Sequence, residues 1–231
     1  MVINMQSFEQ IFQRAVKRKG GEDQLQLLLP PVKSIQEVCL QKDDRILSCM
    51  TKCIFQAGFN WKVVENKWPE FEIVFKKFKP QVLELLSAED LEVIAKDARI
   101  IRNMQKIMTV PINAQWINEI ADEHGSFAKF IGLWPTSSIV ELFKLLKKRG
   151  ARLGGNTGPR VLRLAGIDSF ILSSDVLQAL RQADIGLYGS ATSMKDMQLI
   201  QSAFNAWHKE TQLPYTHLSK ILAFSVSENI Y

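Results

Sequence analysis

The sequence lacks any apolar run long enough to cross a bilayer, and its 231 residues include only three cysteines. The missing apolar run excludes a membrane-spanning helix, so we expect no membrane partner. An odd cysteine count, with Cys39, Cys49 and Cys53, is typical of a reducing compartment. Charges interrupt the apolar pattern of residues 1–20, so we expect no signal peptide there.

Alternating strand patterns, internal repeats and low-complexity segments are also missing. Apolar residues recur at helical spacing along nearly the whole chain, which predicts an all-α protein of roughly ten helices. The run from Ser169 to Ser173 is compatible with an extended segment but is too isolated to form a sheet. We expect one domain over residues 1–231.

Several helix boundaries carry local signals. Residues 22–33, with two consecutive prolines, predict an irregular connection. A helix is predicted from Ile35 to Phe55, with a break near residues 41–44. Ser87 has the chemistry of an N-cap, with an acid three residues further on.

Acidic residues are absent between Glu141 and Asp168, whereas the whole chain has a net charge of +5. The same interval contains seven basic residues: Lys144, Lys147, Lys148, Arg149, Arg152, Arg160 and Arg163. A helix, a glycine-rich hairpin and a second helix are predicted over about residues 144–166. Glycine exposes backbone N–H groups, and such a unit is typical of phosphate binding.

Seven residues of this hairpin are predicted to contact DNA: Lys148, Arg152, Gly154, Gly155, Asn156, Thr157 and Gly158. Backbone N–H groups of residues 155–157 would meet one phosphate, and Arg152 or Lys148 the next. Such contacts position a duplex without reading its sequence. The alternative is an ordinary helix C-cap, a loop and a new helix near Pro159.

Segments of the chain follow one another in a familiar order. They are FQAGFNW at residues 55–61, DARIIRN at 97–103 followed by Lys106-Ile107, and LKKRG at 146–150. Together with the residues between them, they resemble the DNA-3-methyladenine glycosylase I family over about half of the chain. The resemblance implies a two-lobed, all-helical helix-hairpin-helix glycosylase fold, and an enzyme that turns a damaged base out of duplex DNA.

The resemblance also implies a function. It implies a DNA glycosylase that excises alkylated purines resembling 3-methyladenine in base-excision repair. The enzyme would be monofunctional, since Thr157 stands near the place of the lysine of bifunctional relatives. We expect a monomer that acts on double-stranded DNA in a bacterial cytoplasm, associated with the nucleoid. The hairpin carbonyls would offer a site for a monovalent cation. The alternatives are a non-catalytic DNA-binding module and, less directly, a helical protein-interaction domain with a basic face.

Two departures from the family bear on its chemistry. The family's N-terminal Cys, Trp and Tyr-His-Asp-Glu-Trp-Gly motif is missing, and no cysteine lies at ligand spacing from the three histidines. Because a structural zinc needs four Cys or His ligands, we predict no metal and no zinc cofactor. Cys53 stands where the family carries a pocket glutamate, and a thiol is a poor acceptor for an adenine amino group.

The family positions predict a base pocket lined by Trp61, Cys53, Phe55 and Gln56. Trp61 would stack on the extruded base, although a tryptophan in the core is the common alternative. Cys53 is interpreted as a small buried apolar residue rather than a nucleophile. Arg102, Asn103 and Lys106 share a helical face that is either solvated or orients the wall of the site.

One carboxylate is predicted to be catalytic. Asp175 stands at the distance from Gly155 at which the wider superfamily carries its catalytic aspartate. It would stabilise positive charge on the sugar and orient water. Its structural alternative is an N-cap of a helix over Val176–Gln182. Asp168 is the competing carboxylate, for which the cap of a turn is the simpler interpretation.

Overall fold

The computed structural model describes residues 5–226, and these residues form α-helices, two 3₁₀ turns and connections, without a β-strand. The predicted domain over residues 1–231 extends beyond them at both ends. No helix in the described range is both long and apolar enough to cross a membrane. The chain divides into two compact units.

The first unit contains the described residues up to Val32, residues Pro135–Glu141 and those from Asp168 onward. Its helices are α1 (Phe8–Lys19), α2 (Glu22–Leu27), α13 (Ser174–Gln182), α14 (Met194–Thr211) and α15 (Tyr215–Val226). Helix α15 is central, since α1, α13 and α14 all pack against it. The core includes Phe8, Phe170, Phe204, Trp207 and Tyr215, each at most 2% exposed.

The second unit contains residues Lys33–Trp134 and Leu142–Ile167. Its helices are α3 (Ile35–Cys39), α4 (Asp43–Gln56), α5 (Trp61–Val74), α6 (Pro80–Leu83), α7 (Ala88–Lys96), α8 (Met104–Ile107), α9 (Thr109–His124), α10 (Phe127–Gly132), α12 (Thr157–Ala165) and most of α11 (Ile139–Arg149). Helix α4 is buried at the centre, where α5, α9 and α12 pack on it. This packing brings the start of α5 and the face of α12 to one region.

Local capping explains several boundaries. The predicted break near residues 41–44 is confirmed, because α3 ends at Cys39 and α4 begins at Asp43. Both oxygens of Asp43 accept N–H groups at the start of α10, from Phe127 and Ala128, each at 2.9 Å. Ser87 and Asp90 form the predicted capping box at the start of α7.

Two expectations about helices were wrong. The described residues contain fifteen α-helices rather than roughly ten, because several are shorter than two turns. The segment 22–33 is not irregular throughout, since Glu22–Leu27 forms α2. Its two first-turn acids suit a helix N-terminus, and its Leu25 is fully buried.

Candidate functional site

The connection between α11 and α12 is closed by two glycines that no other residue could replace without rearrangement. A Cβ on Gly150 would lie 2.5 Å from Leu153 Cδ1 and 2.9 Å from Leu146 O. A Cβ on Gly158 would lie 2.6 Å from Leu153 O. Leu153 itself is 1% exposed, so the connection folds tightly over a buried leucine. The two helices and residues 150–156 are called the α11–α12 element below.

Gly155 occupies the turn of this element. Its φ of +58° lies in the left-handed region, and nothing lies within 4 Å of a Cβ built there. The predicted set of three phosphate-facing N–H groups needs one correction, because the Thr157 N–H donates to Gly154 O at 3.2 Å. Thr157 is also the first residue of α12, so its amide closes the turn that starts this helix.

A buried asparagine holds the element in place. Asn113, on α9, is fully buried and accepts the Ala151 N–H at Oδ1 over 2.8 Å. Its Nδ2 donates to Ala151 O at 3.2 Å. Arg152 is exposed and donates through Nη2 to Gln105 Oε1 at 2.7 Å, while the predicted contact residue Lys148 is exposed. The basic side chains therefore extend from a backbone that α9 fixes.

Trp61 opens α5 and remains 49% exposed. Asn60 caps the helix, since its Oδ1 accepts the Lys62 N–H at 2.9 Å. The guanidinium carbon of Arg160, on α12, lies 4.6 Å from the centre of the Trp61 ring. Trp61 is thus a surface residue with a cation on its ring, rather than a core tryptophan.

Lys106 supports the turn that leads to Trp61. Its side chain is buried, with 6% of the residue exposed, and Nζ donates to Phe55 O at 3.1 Å and Ala57 O at 2.6 Å. The same ammonium lies 4.4 Å from the centre of the Phe59 ring. Burial lowers the pKa of Lys106, and the charge of Arg152 lowers it further.

The predicted helical face of Arg102, Asn103 and Lys106 is not formed, because α8 begins at Met104 and Arg102 and Asn103 precede it. Arg102 is exposed, so the solvated interpretation fits it. Asn103 caps α8 by accepting the Lys106 N–H at 3.1 Å. Lys106 instead binds the C-terminal end of α4, and it orients the segment between α4 and α5.

Cys53 is 5% exposed, and burial raises the pKa of its thiol to about 12. A thiol in this state is neutral at physiological pH and a weak nucleophile. Among the charges acting on it are Arg160, which lowers its pKa, and Glu65, which raises it. Cys53 therefore lies within electrostatic reach of the cation that stacks on Trp61.

Phe55 and Gln56 were predicted to line the base pocket, but both are buried and engaged in other contacts. The Phe55 ring is fully buried and meets the Phe71 ring edge-on at 4.8 Å, so it belongs to the core. Gln56 is 8% exposed, and its Nε2 donates to Glu65 Oε1 at 2.9 Å. The other oxygen of Glu65 accepts from Lys52 Nζ, also at 2.9 Å. We refer to Cys53, Gln56, Phe59, Trp61, Glu65, Lys106 and Arg160 as the Trp61 cluster.

The two candidate aspartates belong to the first unit and differ in their hydrogen bonds. Asp168 accepts the Tyr215 N–H at 3.0 Å and the Thr216 N–H at 2.8 Å, so it caps α15. Asp175 is not the N-cap that its structural alternative supposed, because Ser173 caps α13 by accepting the Val176 N–H at 3.2 Å. Asp175 lies in the first turn of α13 and is partly exposed.

Residues 5–226 contain no group of three His, Cys, Asp or Glu side chains arranged to hold a metal ion. The absence of zinc remains a prediction from the sequence.

Comparison with known proteins identifies the family. Residues 38–152 match the sequence pattern of the methyladenine glycosylase family. DNA-3-methyladenine glycosylase 1 of Escherichia coli (strain K12) is 29% identical, over 44% of this chain and 64% of its own length. The chain belongs to the methyladenine glycosylase family. The match nevertheless spans less than two thirds of that curated relative.

Solved structures resemble the chain over different extents. The Methanocaldococcus jannaschii 8-oxoguanine glycosylase/lyase, in complex with a DNA 15mer containing 8-oxoguanine, aligns with a TM-score of 0.54 over 93% of this chain and 96% of its own. Their sequences are 15% identical, so this likeness shows the fold alone, that of the helical DNA glycosylases. 3-Methyladenine DNA glycosylase I from Staphylococcus aureus aligns over 55% of this chain and 78% of its own, with a TM-score of 0.49 and 22% identity.

The methyladenine glycosylase match covers some candidate residues and not others. It includes Cys53, Trp61 and Lys106 and ends at Arg152, within the α11–α12 element. Arg160 and Asp175 lie beyond it. Arg160 was not among the predicted site residues, and its place in the acid-free basic run was the signal that could have suggested it. Its partner Trp61 is remote in sequence, so spacing gave no indication of the contact.

Proposed function

We propose that this chain is a monofunctional DNA glycosylase that excises damaged purines from double-stranded DNA in base-excision repair. It would hydrolyse the bond between the base and C1′ of the sugar, with water as the nucleophile. Alkylated purines are the substrates that the resemblance to the family implies. Membership of the methyladenine glycosylase family supports the reaction class.

One observation carries the proposal most directly. The α11–α12 element holds the left-handed Gly155 at its turn, is fixed by Asn113 at Ala151, and has acid-free basic flanks. Lys148 and Arg152 are exposed beside that turn. A rigid backbone with exposed cations suits the phosphates of a duplex, because their spacing is fixed and independent of sequence.

The base-recognition role is proposed for the Trp61 cluster. A half-exposed indole at the start of a helix can stack on an extruded base, and Lys106 limits the movement of the turn before it. We propose Asp175 as the carboxylate that stabilises positive charge on the sugar and orients water. The commitment of both Asp168 oxygens to α15 supports this choice between the two aspartates.

A second function is favoured by one observation, the neutral buried thiol of Cys53 at a position where the resemblance implies a glutamate. This second function is DNA binding without catalytic turnover. The test is single-turnover release of bases from heavily methylated duplex DNA, with the released bases identified chromatographically. Release of a damaged purine supports the glycosylase, and binding without release supports the module.

A further inference from the structure

The guanidinium of Arg160 occupies a face of the tryptophan proposed to receive the base. Its central carbon is 4.6 Å from the Trp61 ring centroid, within the range of a cation–π contact. The negative face of an indole would otherwise attract a cationic base, such as a purine alkylated at N3 or N7. Arg160 already supplies that positive charge. A cationic base placed there would therefore meet a like charge.

The other charged groups near Trp61 do not offset this repulsion of a cationic base. Lys106 lies between the Phe59 ring and two backbone carbonyls, and the charge of Arg152 acts on it. The carboxylate of Glu65 is already shared between Gln56 and Lys52. Cys53 contributes a neutral, buried thiol. Within the cluster the carboxylate is thus engaged, while the guanidinium of Arg160 places positive charge on the Trp61 ring.

We infer that the substrate is a neutral damaged purine with acceptors at O6 and N7, and that Arg160 determines this specificity. The inference rests on the proposed glycosylase function. Arginine binds the O6 and N7 edge of guanine through two N–H groups, and a purine alkylated at N7 lacks one of these acceptors. O6-alkylguanines and hypoxanthine have the required edge and no ring charge.

The chemistry of departure agrees with this assignment. When the C1′–N9 bond breaks, its electron pair leaves with the base, and a water oxygen bonds to C1′. The water loses one proton to solvent and the departed purine anion takes one up, so the products are the neutral purine and the free sugar. A cationic purine departs as a neutral molecule, whereas a neutral purine departs with negative charge. A guanidinium beside the base stabilises the negative charge of a departing neutral purine, whereas it repels a cationic purine while that base is still bound.

The experiment compares duplexes of one sequence that carry a single O6-methylguanine, hypoxanthine or 7-methylguanine. The first two bases are neutral, and the third is cationic. Single-turnover base release is measured for each, alongside duplex affinity. We expect the acceleration over spontaneous release to be about tenfold or more greater for at least one neutral lesion than for 7-methylguanine, as expected for like charges in contact at partial burial.

Three variants make the test specific to Arg160. Arg160→Gln should remove the preference by slowing release of the neutral base, and Arg160→Lys should restore part of it, since it keeps the charge without the planar fork. Lys129→Gln removes an equal charge from the exposed surface of α10 and should leave the preference intact. Circular dichroism checks that each variant is folded.

The outcomes separate this inference from the proposed function. A greater acceleration of 7-methylguanine release, or an unchanged preference in folded Arg160→Gln, overturns the inference and leaves the glycosylase in place. If no base is released from any lesion or from heavily methylated DNA while the duplex is still bound, both fail.

Discussion

Asn113 and Ala151 are joined by two hydrogen bonds, of 2.8 and 3.2 Å, that connect the buried face of α9 to the α11–α12 element. The asparagine amide satisfies both the N–H and the C=O of one residue in a connection that has no regular structure of its own. This pairing fixes the backbone from which the basic side chains extend.

Asn113→Ala should therefore lower duplex affinity as well as stability. Leaving the partly buried N–H and C=O of Ala151 without their partner costs about 1 kcal/mol or more in the free energy of unfolding. Chemical denaturation and DNA titration measure the two effects. Asn118→Ala is the matched control on the same helix, because the buried amide atoms of Asn118 have no hydrogen-bond partner within residues 5–226. Equal affinities for the two folded variants would refute a positioning role for Asn113.

Gly155→Ala should weaken binding to every duplex sequence by a similar factor. An L-residue at the φ of Gly155 costs roughly 1–2 kcal/mol, and relief of that strain would displace the turn. Gly125→Ala is the matched control, since Gly125 also has positive φ and open space, but at the end of α9. A loss of affinity that depends on sequence, or that is equal in both variants, would contradict a backbone contact at Gly155.

Lys148→Gln should reduce the salt dependence of DNA binding. Each phosphate neutralised contributes about 0.9 to the slope of log affinity against log salt, so one lost contact should lower the slope by nearly one. Titrations at several salt concentrations give this slope for wild type, Lys148→Gln and the surface control Lys129→Gln. A slope near zero for the wild-type protein would exclude phosphate contacts altogether.

The Cys53 thiol predicts a pH dependence of stability. Its pKa is about 12 in the folded chain against an ordinary value of 9.0, so folding favours the protonated thiol. The stabilisation is complete below about pH 9 and is lost as the pH rises toward 12, by roughly 1 kcal/mol at pH 10. Unfolding of wild type and Cys53→Ala at pH 7 and 10 measures it. Cys49 is present in both proteins, and an equal loss of stability in both would contradict the prediction.

The sequence predicts those structural features that are determined by residues close together along the chain. The capping box of Ser87 and the break before Asp43 follow from local chemistry and were correctly predicted. The helix Glu22–Leu27 was missed because six residues contain too little of a helical period. Its stability depends on the burial of Leu25, which the pattern does not reveal.

The candidate site was harder to predict because its contacts join remote positions. Trp61 could be proposed from the resemblance, but Arg160 reaches it from α12, and nothing in the spacing relates the two residues. Lys106 likewise binds carbonyls of the α4 end, where charge patterning predicts either a solvated or an orienting lysine. Such contacts depend on how α8 and α12 pack on α4, which a hydrophobic period does not specify.

The measurement that tests the central claim most directly is single-turnover base release from damaged duplex DNA by wild type, Asp175→Asn and Asp168→Asn, with affinity measured in parallel. Wild type should release a damaged purine, and Asp175→Asn should do so at least about a hundredfold more slowly with near-normal affinity. Asp168→Asn should mainly lose stability, because it weakens the cap of α15. Full activity in Asp175→Asn would show that the wrong carboxylate was chosen. Binding without release of any base by wild type would contradict the glycosylase itself.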